Sequence, residues 1–455
     1  WSAPVPVEQQ PYDVENSYAV MLKVPGTGTG QNHFSTESFS GTKPKNEEPG
    51  TKNQEPGVPP AGRIYIFYNH NTDNVREVKC HDGEGAFERV DSLGHFVFKY
   101  SDDHGQSWST ERYDIPVRLF QCDRENVYGG ELCFFWNVGK PFTHEGAAFV
   151  SLHKIGQMGE GFMQQSEGVL LKSDNLLTEC DPEKITWETL PDGDVGLRAP
   201  ADGGAVSEEQ SYVVLSDGSF YVNYRTIAGY PVEAYSRDGG HTWSEPQYKC
   251  FSDGRRMKNP RAANFVWKCE NGKYLYWFHN HGGDFIRSLW GQDSASNGLV
   301  KNGGSPYDDR NPAWLCGGIE VDSPEGKIIK WSEPEVVLYT DDPFIRMSYP
   351  DLVEQDGNYY LTETQKKIAR VHEIPADFVE KIWAGLEGHI EKPEPILTSS
   401  SAEVSAPELK PFFVRDHTTM DFHGIQTRAG FSLKFELKSN EPGIVLDGMA
   451  PDGRG

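Results

Sequence analysis

Four glycine turns are each followed, seven residues on, by a polar side chain closing an aromatic-rich run. Gly62 leads through AGRIYIFYNHN to Asn69, Gly218 through DGSFYVNYR to Arg225, Gly272 through NGKYLYWFHNH to His279, and Gly357 through DGNYYLTETQ to Thr364. His70, His281 and Glu363 sit beside those positions. A guanidinium can grip an anion bidentately, and imidazoles and carboxylates can move protons near neutral pH. Taken singly, each is an ordinary polar strand end. Their common register predicts convergence on one pocket.

The elements that must carry them are strands. Glycine (47) and proline (30) are abundant, aromatics reach 12%, and short β-type runs alternate with turn signals. One helix is expected, over PADFVEKIWAGLEGHI (375–390), with Phe378, Ile382 and Leu386 on one face. A second repeat punctuates the strands. YSDDHGQSWS (100–109) and YSRDGGHTWSEP (235–246) both satisfy S-x-D-x-G-x-[ST]-W, and KSDNLLTECDPEKITWETL (172–190) and VDSPEGKIIKWSEP (321–334) are degenerate copies. Asp and Ser can bond turn amides, Gly can take a positive φ, and Trp can pack between sheets, so these turns read as staples rather than catalytic groups. Repeated sheets with strand ends on one face predict a radial, all-β architecture. GTKPKNEEPGTKNQEPGVPP (41–60), almost without apolar side chains, is expected to be an exposed loop.

Composition narrows the partners. A formal net charge of −25 repels phosphate backbones and anionic membranes, so neither nucleic acid nor membrane is expected. No apolar run reaches the roughly 20 residues of a membrane span. The chain opens at Trp1 without a methionine, as expected of a processed, secreted protein. Seven scattered cysteines without a CxxC pair argue against a zinc ribbon and leave open up to three disulfides or a set of buried thiols.

On the S-x-D-x-G-x-[ST]-W turns the chain resembles the sialidase superfamily, whose Asp-box turns have this pattern, over roughly residues 15 to 375. The resemblance implies a six- or seven-bladed β-propeller with Asp-box turns, spanning 1–405. It also implies a sialidase-like exo-glycosidase acting on an acidic oligo- or polysaccharide, without a cofactor. SEEQSYVVLSDGSFYVNYRT (207–226) is similar to the segment carrying the family's glutamate and a substrate-binding arginine, giving those roles to Glu209 and Arg225 with Glu208 as neighbouring candidate. RMSYPDLVEQDGNYYLTETQ (346–365) resembles the segment of the tyrosine nucleophile, here Tyr349, and DSLGHFVFKYSDDHGQSW (91–108) that of the acid/base aspartate, here Asp91. Arg310 and Arg346 are the nearest further arginines for a substrate carboxylate, and Lys23-Val24-Pro25 stands where the family has Arg-Ile-Pro. A tyrosine suits an anionic anomeric centre, because a phenol is neutral until attack; with a pKa near ~10 it needs a base within reach.

Histidines at strand ends (His70, His279, His281) and in a turn (His144) motivate a second resemblance, to the propeller-type polysaccharide lyases. There an arginine would neutralise a uronate carboxylate and a His or Tyr would take the C5 proton. A noncatalytic carbohydrate-binding propeller is the third reading. HNHGGD (279–284) lacks a third ligand and is not expected to bind metal, while the acidic turns PYDDRNPAW (306–314) and DDPFIR (341–346) leave a structural calcium open. GRRMKNPRAANF (254–265), the one basic cluster, reads as a rim for an anionic chain or a solvated loop. The stretch 406–455 alternates like β-strands and is expected to be a short C-terminal β extension, or the start of a sandwich.

Overall fold

The computed structural model of the chain describes residues 5–8, 16–24, 59, 62–72, 74–81, 86–87, 90, 92–159, 162–280, 310–340, 346–364 and 368–387. All of them fall in the first of two units, Trp1–Lys392. The expected β extension over 406–455 and nearly all of the 41–60 loop lie outside the described residues.

Five antiparallel sheets follow one another as the blades of a β-propeller. The first holds β1 (Asn16–Lys23), β2 (Ile64–His70), β5 (His95–Ser101) and β6 (Tyr113–Asp114), with β3 (Val78–Lys79) and β4 (Ala86–Phe87) as a separate ribbon. The helix α1 (Gln121–Arg124) leads into the second, of β7 (Phe135–Trp136), β8 (Phe142–His144), β9 (Ala147–Gly159), β10 (Phe162–Ser173) and β11 (Glu188–Leu190). The third holds β12 (Glu208–Val214), β13 (Phe220–Arg225), β14 (Val232–Ser236) and β15 (Gln247–Tyr248). The fourth holds β16 (Phe265–Lys268), β17 (Tyr274–Phe278), β18 (Ala313–Ser323), β19 (Gly326–Trp331) and β20 (Glu335–Leu338). The fifth has β21 (Ser348–Gln355), β22 (Asn358–Thr364) and β23 (Ala369–Ile374), followed by α2 (Ala376–Glu387).

The expectation of six or seven blades is thus corrected to five among the described residues. Each of the four sequence repeats joins the third strand of a sheet to its fourth: β5 to β6, β10 to β11, β14 to β15, and β18 to β19. The fifth sheet has three strands and no repeat. Ser101 and Ser236 Oγ donate to Asp103 and Asp238 at 2.8 Å, and those aspartates accept from the amides of Ser107 and Thr242 at 2.8 and 2.9 Å. In the third repeat Asn175 accepts from the Thr186 amide at 2.9 Å across a longer loop.

Side chains alternate along a strand, so a blade interior is buried on both faces. On β13, Phe220, Val222 and Tyr224 pack with Phe149 and Leu170 of the second sheet, whereas Tyr221 packs with Tyr276 and Trp331 of the fourth. On β17, Leu275 and Trp277 turn to the fifth sheet, where Leu361 and α2 residues Val379, Ile382 and Trp383 complete the cluster. Trp383 Nε1 donates to the Tyr274 carbonyl at 2.7 Å, and a side chain at Gly317 would collide with that indole. Each large aromatic so buried contributes about 1.5–3 kcal/mol, which explains the aromatic-rich runs. No disulfide joins the seven cysteines, and no described helix is long and apolar enough to cross a membrane.

Candidate active site

Two sheets open with the same irregularity. Glu208 pairs with Arg225 and Ser211 with Asn223, so Glu209 and Gln210 stand against the single residue Tyr224. In the fifth sheet Ser348 pairs with Thr364 and Asp351 with Thr362, leaving Tyr349 and Pro350 against Glu363. The first sheet repeats the pattern, with Ser17 opposite Asn69 and Val20 opposite Phe67. Asn69, Arg225 and Thr364, equivalent by count in the sequence, are therefore equivalent in hydrogen-bond register. A β-bulge of this kind re-aims a side chain. Glu209 and Tyr349 take left-handed backbone conformations, φ 59° and 49°, at a cost of roughly 1–2 kcal/mol for a residue with a Cβ.

Those bulges bring the two side chains together. Tyr349 Oη donates to Glu209 Oε1 at 3.3 Å, linking the third and fifth sheets with the fourth between them in sequence. Non-adjacent blades meet only where their first strands line the axis. Lys140, following β7, reaches across to Asp351 in the same way.

Arginines surround the pair. Arg225 is 2% exposed and spans both glutamates, with Nη2 2.8 Å from Glu208 and Nη1 3.0 Å from Glu209. Arg261, just ahead of β16, sets Nη2 2.6 Å from Glu208 Oε1 and donates to the Met163 carbonyl at 2.8 Å. Arg310, buried before β18, donates to Ser348 Oγ at 2.6 Å and lies 6.0 Å from the Tyr349 ring centroid. Arg346, half-buried, precedes Met347, whose amide donates to the Arg310 carbonyl at 3.2 Å.

The adjacent glutamates diverge. Burial alone would raise Glu208, but Arg261 and Arg225 overcome it and hold the carboxylate down at about 2. Burial raises Glu209 above the ordinary carboxyl range, with Arg225 opposing and Glu208 adding to the rise. Glu208 is thus a permanent anchor, and Glu209 the carboxyl that can exchange a proton.

The remaining expected residues are distributed as follows. His279 is buried at the end of β17, its amide bonded to Asn259 Oδ1 at 2.9 Å and its Nδ1 3.3 Å from the Pro312 carbonyl. His70 closes β2, where burial and then Arg112 lower its pKa; the other charged groups acting on it are Glu8, Asp114 and His95 of the first sheet's surroundings. His144 packs edge-on to Phe220 at 5.5 Å and lies beside Gly218, at the end of β13 opposite Arg225, so the structure does not bring it to the pair. Lys23 likewise pairs with Ile64, at the opposite end of the first sheet from Asn69. Asp91 and His281 lie outside the described residues. Among the described residues one group has metal-ligand spacing, the surface set Glu188, Asp192 and His241, in which His241 Nδ1 lies 3.1 Å from Asp192 Oδ1.

Sequence reasoning missed two members. Arg261 belongs to the basic run 254–265, where only its partner Glu208 tells it from its neighbours: Arg255 pairs with Asp253, and Arg256 lies over the Tyr248 ring at 4.3 Å. His153, buried in β9, accepts from the Glu209 amide at 3.3 Å and had no signal beyond being polar in an apolar run.

The BNR repeat-like domain family matches residues 15–361, and the chain belongs to it, within the sialidase/BNR propeller superfamily. Among solved structures it is similar to the intramolecular trans-sialidase of Ruminococcus gnavus, at 18% identity over 63% of this chain and 51% of that one, with a TM-score of 0.41. A leech intramolecular trans-sialidase follows at 17% identity over 65% and 37% of the two chains, TM-score 0.39. An exo-1,5-α-L-arabinanase from a bovine ruminal metagenomic library matches at 14% over 70% and 90%, TM-score 0.37. The chain spans 51% and 37% of the lengths of the two trans-sialidases. No curated protein matches it in sequence.

Proposed function

We propose that the chain is a secreted glycoside hydrolase of sialidase type that removes a terminal, carboxylate-bearing sugar from an acidic glycan. One observation carries this reading: Tyr349 Oη donates to Glu209 Oε1 at 3.3 Å. Raising the carboxyl and placing it on the phenol narrows the proton-affinity gap between them, which is what a base for a tyrosine nucleophile needs. Glu209 takes the phenol proton as Tyr349 Oη bonds to the anomeric carbon, and the glycosidic oxygen leaves with a proton from an acid, the role expected of Asp91. Water then hydrolyses the glycosyl-tyrosine bond by the reverse proton path. Arg310, near the Tyr349 ring, stabilises the developing phenolate.

The charge balance supports an anionic substrate. Arg225, Arg261 and Arg310 act on two glutamates in a chain of net charge −25, and both Arg225 and Arg261 are engaged by Glu208. Arg310, beside the Tyr349 ring, and Arg346, the other arginine expected for this role from the sequence, are the groups assigned to the substrate carboxylate. The facing of Glu209 and Tyr349 favours an enzyme over a binding module, and a carboxyl set on a phenol is the pairing that hydrolysis through a tyrosine needs.

Three probes test the proposal: a methylumbelliferyl ketoside of N-acetylneuraminic acid, the corresponding α-L-arabinofuranoside, and a rhamnose-glucuronate polymer followed by the ultraviolet absorbance of an unsaturated uronate. Release from the ketoside alone is expected. Release from the arabinofuranoside alone removes the carboxylate from the reading, and new ultraviolet absorbance with the polymer replaces hydrolysis by elimination.

A further inference from the structure

The bulge that aims Glu209 leaves its backbone N–H to find an acceptor off the ladder, and an orphaned buried amide costs about 1–3 kcal/mol. That acceptor is Nδ1 of His153 at 3.3 Å. His153 stands within β9, paired with Trp136, and their rings stack at 6.3 Å and 26°. It is 1% exposed, and its Nε2 has no hydrogen-bond partner in the structure. A ring that accepts at Nδ1 is neutral and carries its proton at Nε2.

We propose that His153 is a positioning residue of the site: by accepting the Glu209 amide it holds the left-handed bulge that turns the Glu209 carboxylate onto Tyr349. This deepens the hydrolase reading and rests on it for the role of Glu209. Register explains why one hydrogen bond matters here. A strand residue that leaves the left-handed region for the regular ladder sends its side chain to another face. Without the bond, the strained Glu209 backbone also carries an unpaired buried amide, and only the side-chain contacts to Arg225 and Tyr349 are left to hold the bulge.

The surroundings keep the ring in the required form. Facing it are Glu208 and Glu209 from β12, Arg225 from β13, Arg261 ahead of β16 and the Trp136 indole from β7. Its neighbour Lys154 turns to the buried Asp123 instead. Burial above all holds the imidazole neutral, against Glu208 and with Arg225 and Arg261, bringing its pKa down to about 3. A protonated Nδ1 would oppose the Glu209 N–H donor to donor.

The test compares His153→Leu, which removes the acceptor, with His153→Asn, whose amide oxygen can replace Nδ1. On the methylumbelliferyl ketoside, His153→Leu is expected to lower kcat on the order of 10- to 100-fold with KM little changed, and to move the acid limb of the pH–rate profile; His153→Asn restores both. Equal losses in both variants, or a lower melting temperature with kcat and pH profile unchanged, overturn the proposal. A readout without substrate keeps it separate from the functional reading. In 15N-histidine spectra, the resonance absent from His153→Asn should show unprotonated Nδ1 and protonated Nε2, untitrated between about pH 8 and 4. Hydrogen exchange of the Glu209 amide should quicken in His153→Leu. A titrating His153, a protonated Nδ1 or unchanged exchange overturns the inference even if the ketoside is cleaved; an uncleaved ketoside with these signatures present overturns the hydrolase reading alone.

Discussion

Glu209 and Tyr349 occupy the same place in the same β-bulge of two different sheets, and their side chains meet at 3.3 Å. Each follows the residue paired to the end of the second strand, Arg225 in one sheet and Thr364 in the other. One backbone device in two sheets sets a phenol against a carboxyl, the nucleophile and base of the proposed hydrolysis.

If that is the chemistry, the two residues fail together. Tyr349→Phe should lower kcat on the neuraminic ketoside about 10³-fold or more, Glu209→Gln somewhat less, and the double variant no further than the worse single one. Multiplicative losses would mean that they do not act as a unit.

Glu208 predicts the acid stability. Its folded pKa is depressed from 4.5 to about 2, so its contribution is present above the unfolded value and is lost as pH falls through the folded one. That contribution is about 3 kcal/mol. His153, depressed from 6.5 to about 3, also loses stability on acidification, because the unfolded imidazole takes up a proton that the folded one refuses. Glu209, raised, acts in the opposite sense. Urea unfolding followed from neutral to acid pH should show the steep loss, and Glu208→Leu should cost about 3–5 kcal/mol at pH 7 by leaving Arg261 without its carboxylate. A flat profile in the wild-type protein contradicts the assignment.

Asp238 holds its turn by accepting from the Thr242 amide at 2.9 Å, from Thr242 Oγ1 at 2.6 Å and from Ser236 Oγ at 2.8 Å. Asp238→Ala should destabilise by about 1–2 kcal/mol in thermal unfolding. Catalysis at temperatures well below the transition should be unchanged, since the turn is a staple; a lost kcat in folded protein would refute that.

Lys249 is a buried cation. Its Nζ lies 3.5 Å from the Trp331 ring centroid and 4.4 Å from that of Tyr276, with Glu233 at 3.3 Å. Burial, against Glu233, brings its pKa from 10.5 down to about 8, so at this site the folded state binds fewer protons between those values and its contribution to stability rises with pH across that window. Lys249→Met should abolish that contribution while leaving stability at neutral pH within about 1 kcal/mol, because the charge-burial cost leaves with the charge. Chemical denaturation between about pH 8 and 10 reads it as the difference between the wild-type and variant profiles, because the buried thiols and phenols, which ionise more readily when unfolded, lower stability over the same range in both proteins. Profiles that run parallel in the two proteins place the titrating group elsewhere.

Several features were legible because they are local. A turn needing a positive φ, a strand of alternating aromatics and a serine–aspartate pair bonding turn amides each announce themselves within ten residues or so. The seven-residue count from Gly62, Gly218 and Gly357 found Asn69, Arg225 and Thr364 because hairpin register is set by turn length. The helix over Ala376–Glu387 was visible in its apolar period. The blade number was not, since a repeat marks one connection inside a sheet and a three-stranded sheet has none.

What the amino-acid order determined by itself, then, is the set of strands, their turns and the identity of the polar side chains at their ends. Which of these ends meet was decided only by closure of the sheets around an axis. His144 and Lys23 looked as eligible as Arg225 but sit at the far ends of their sheets, while Arg261 and His153 carried no local mark and reached the glutamates from other blades. Pairing across more than 50 residues of chain costs loop entropy that no short pattern records, and the buried charges that reward it appear only once the blades are packed.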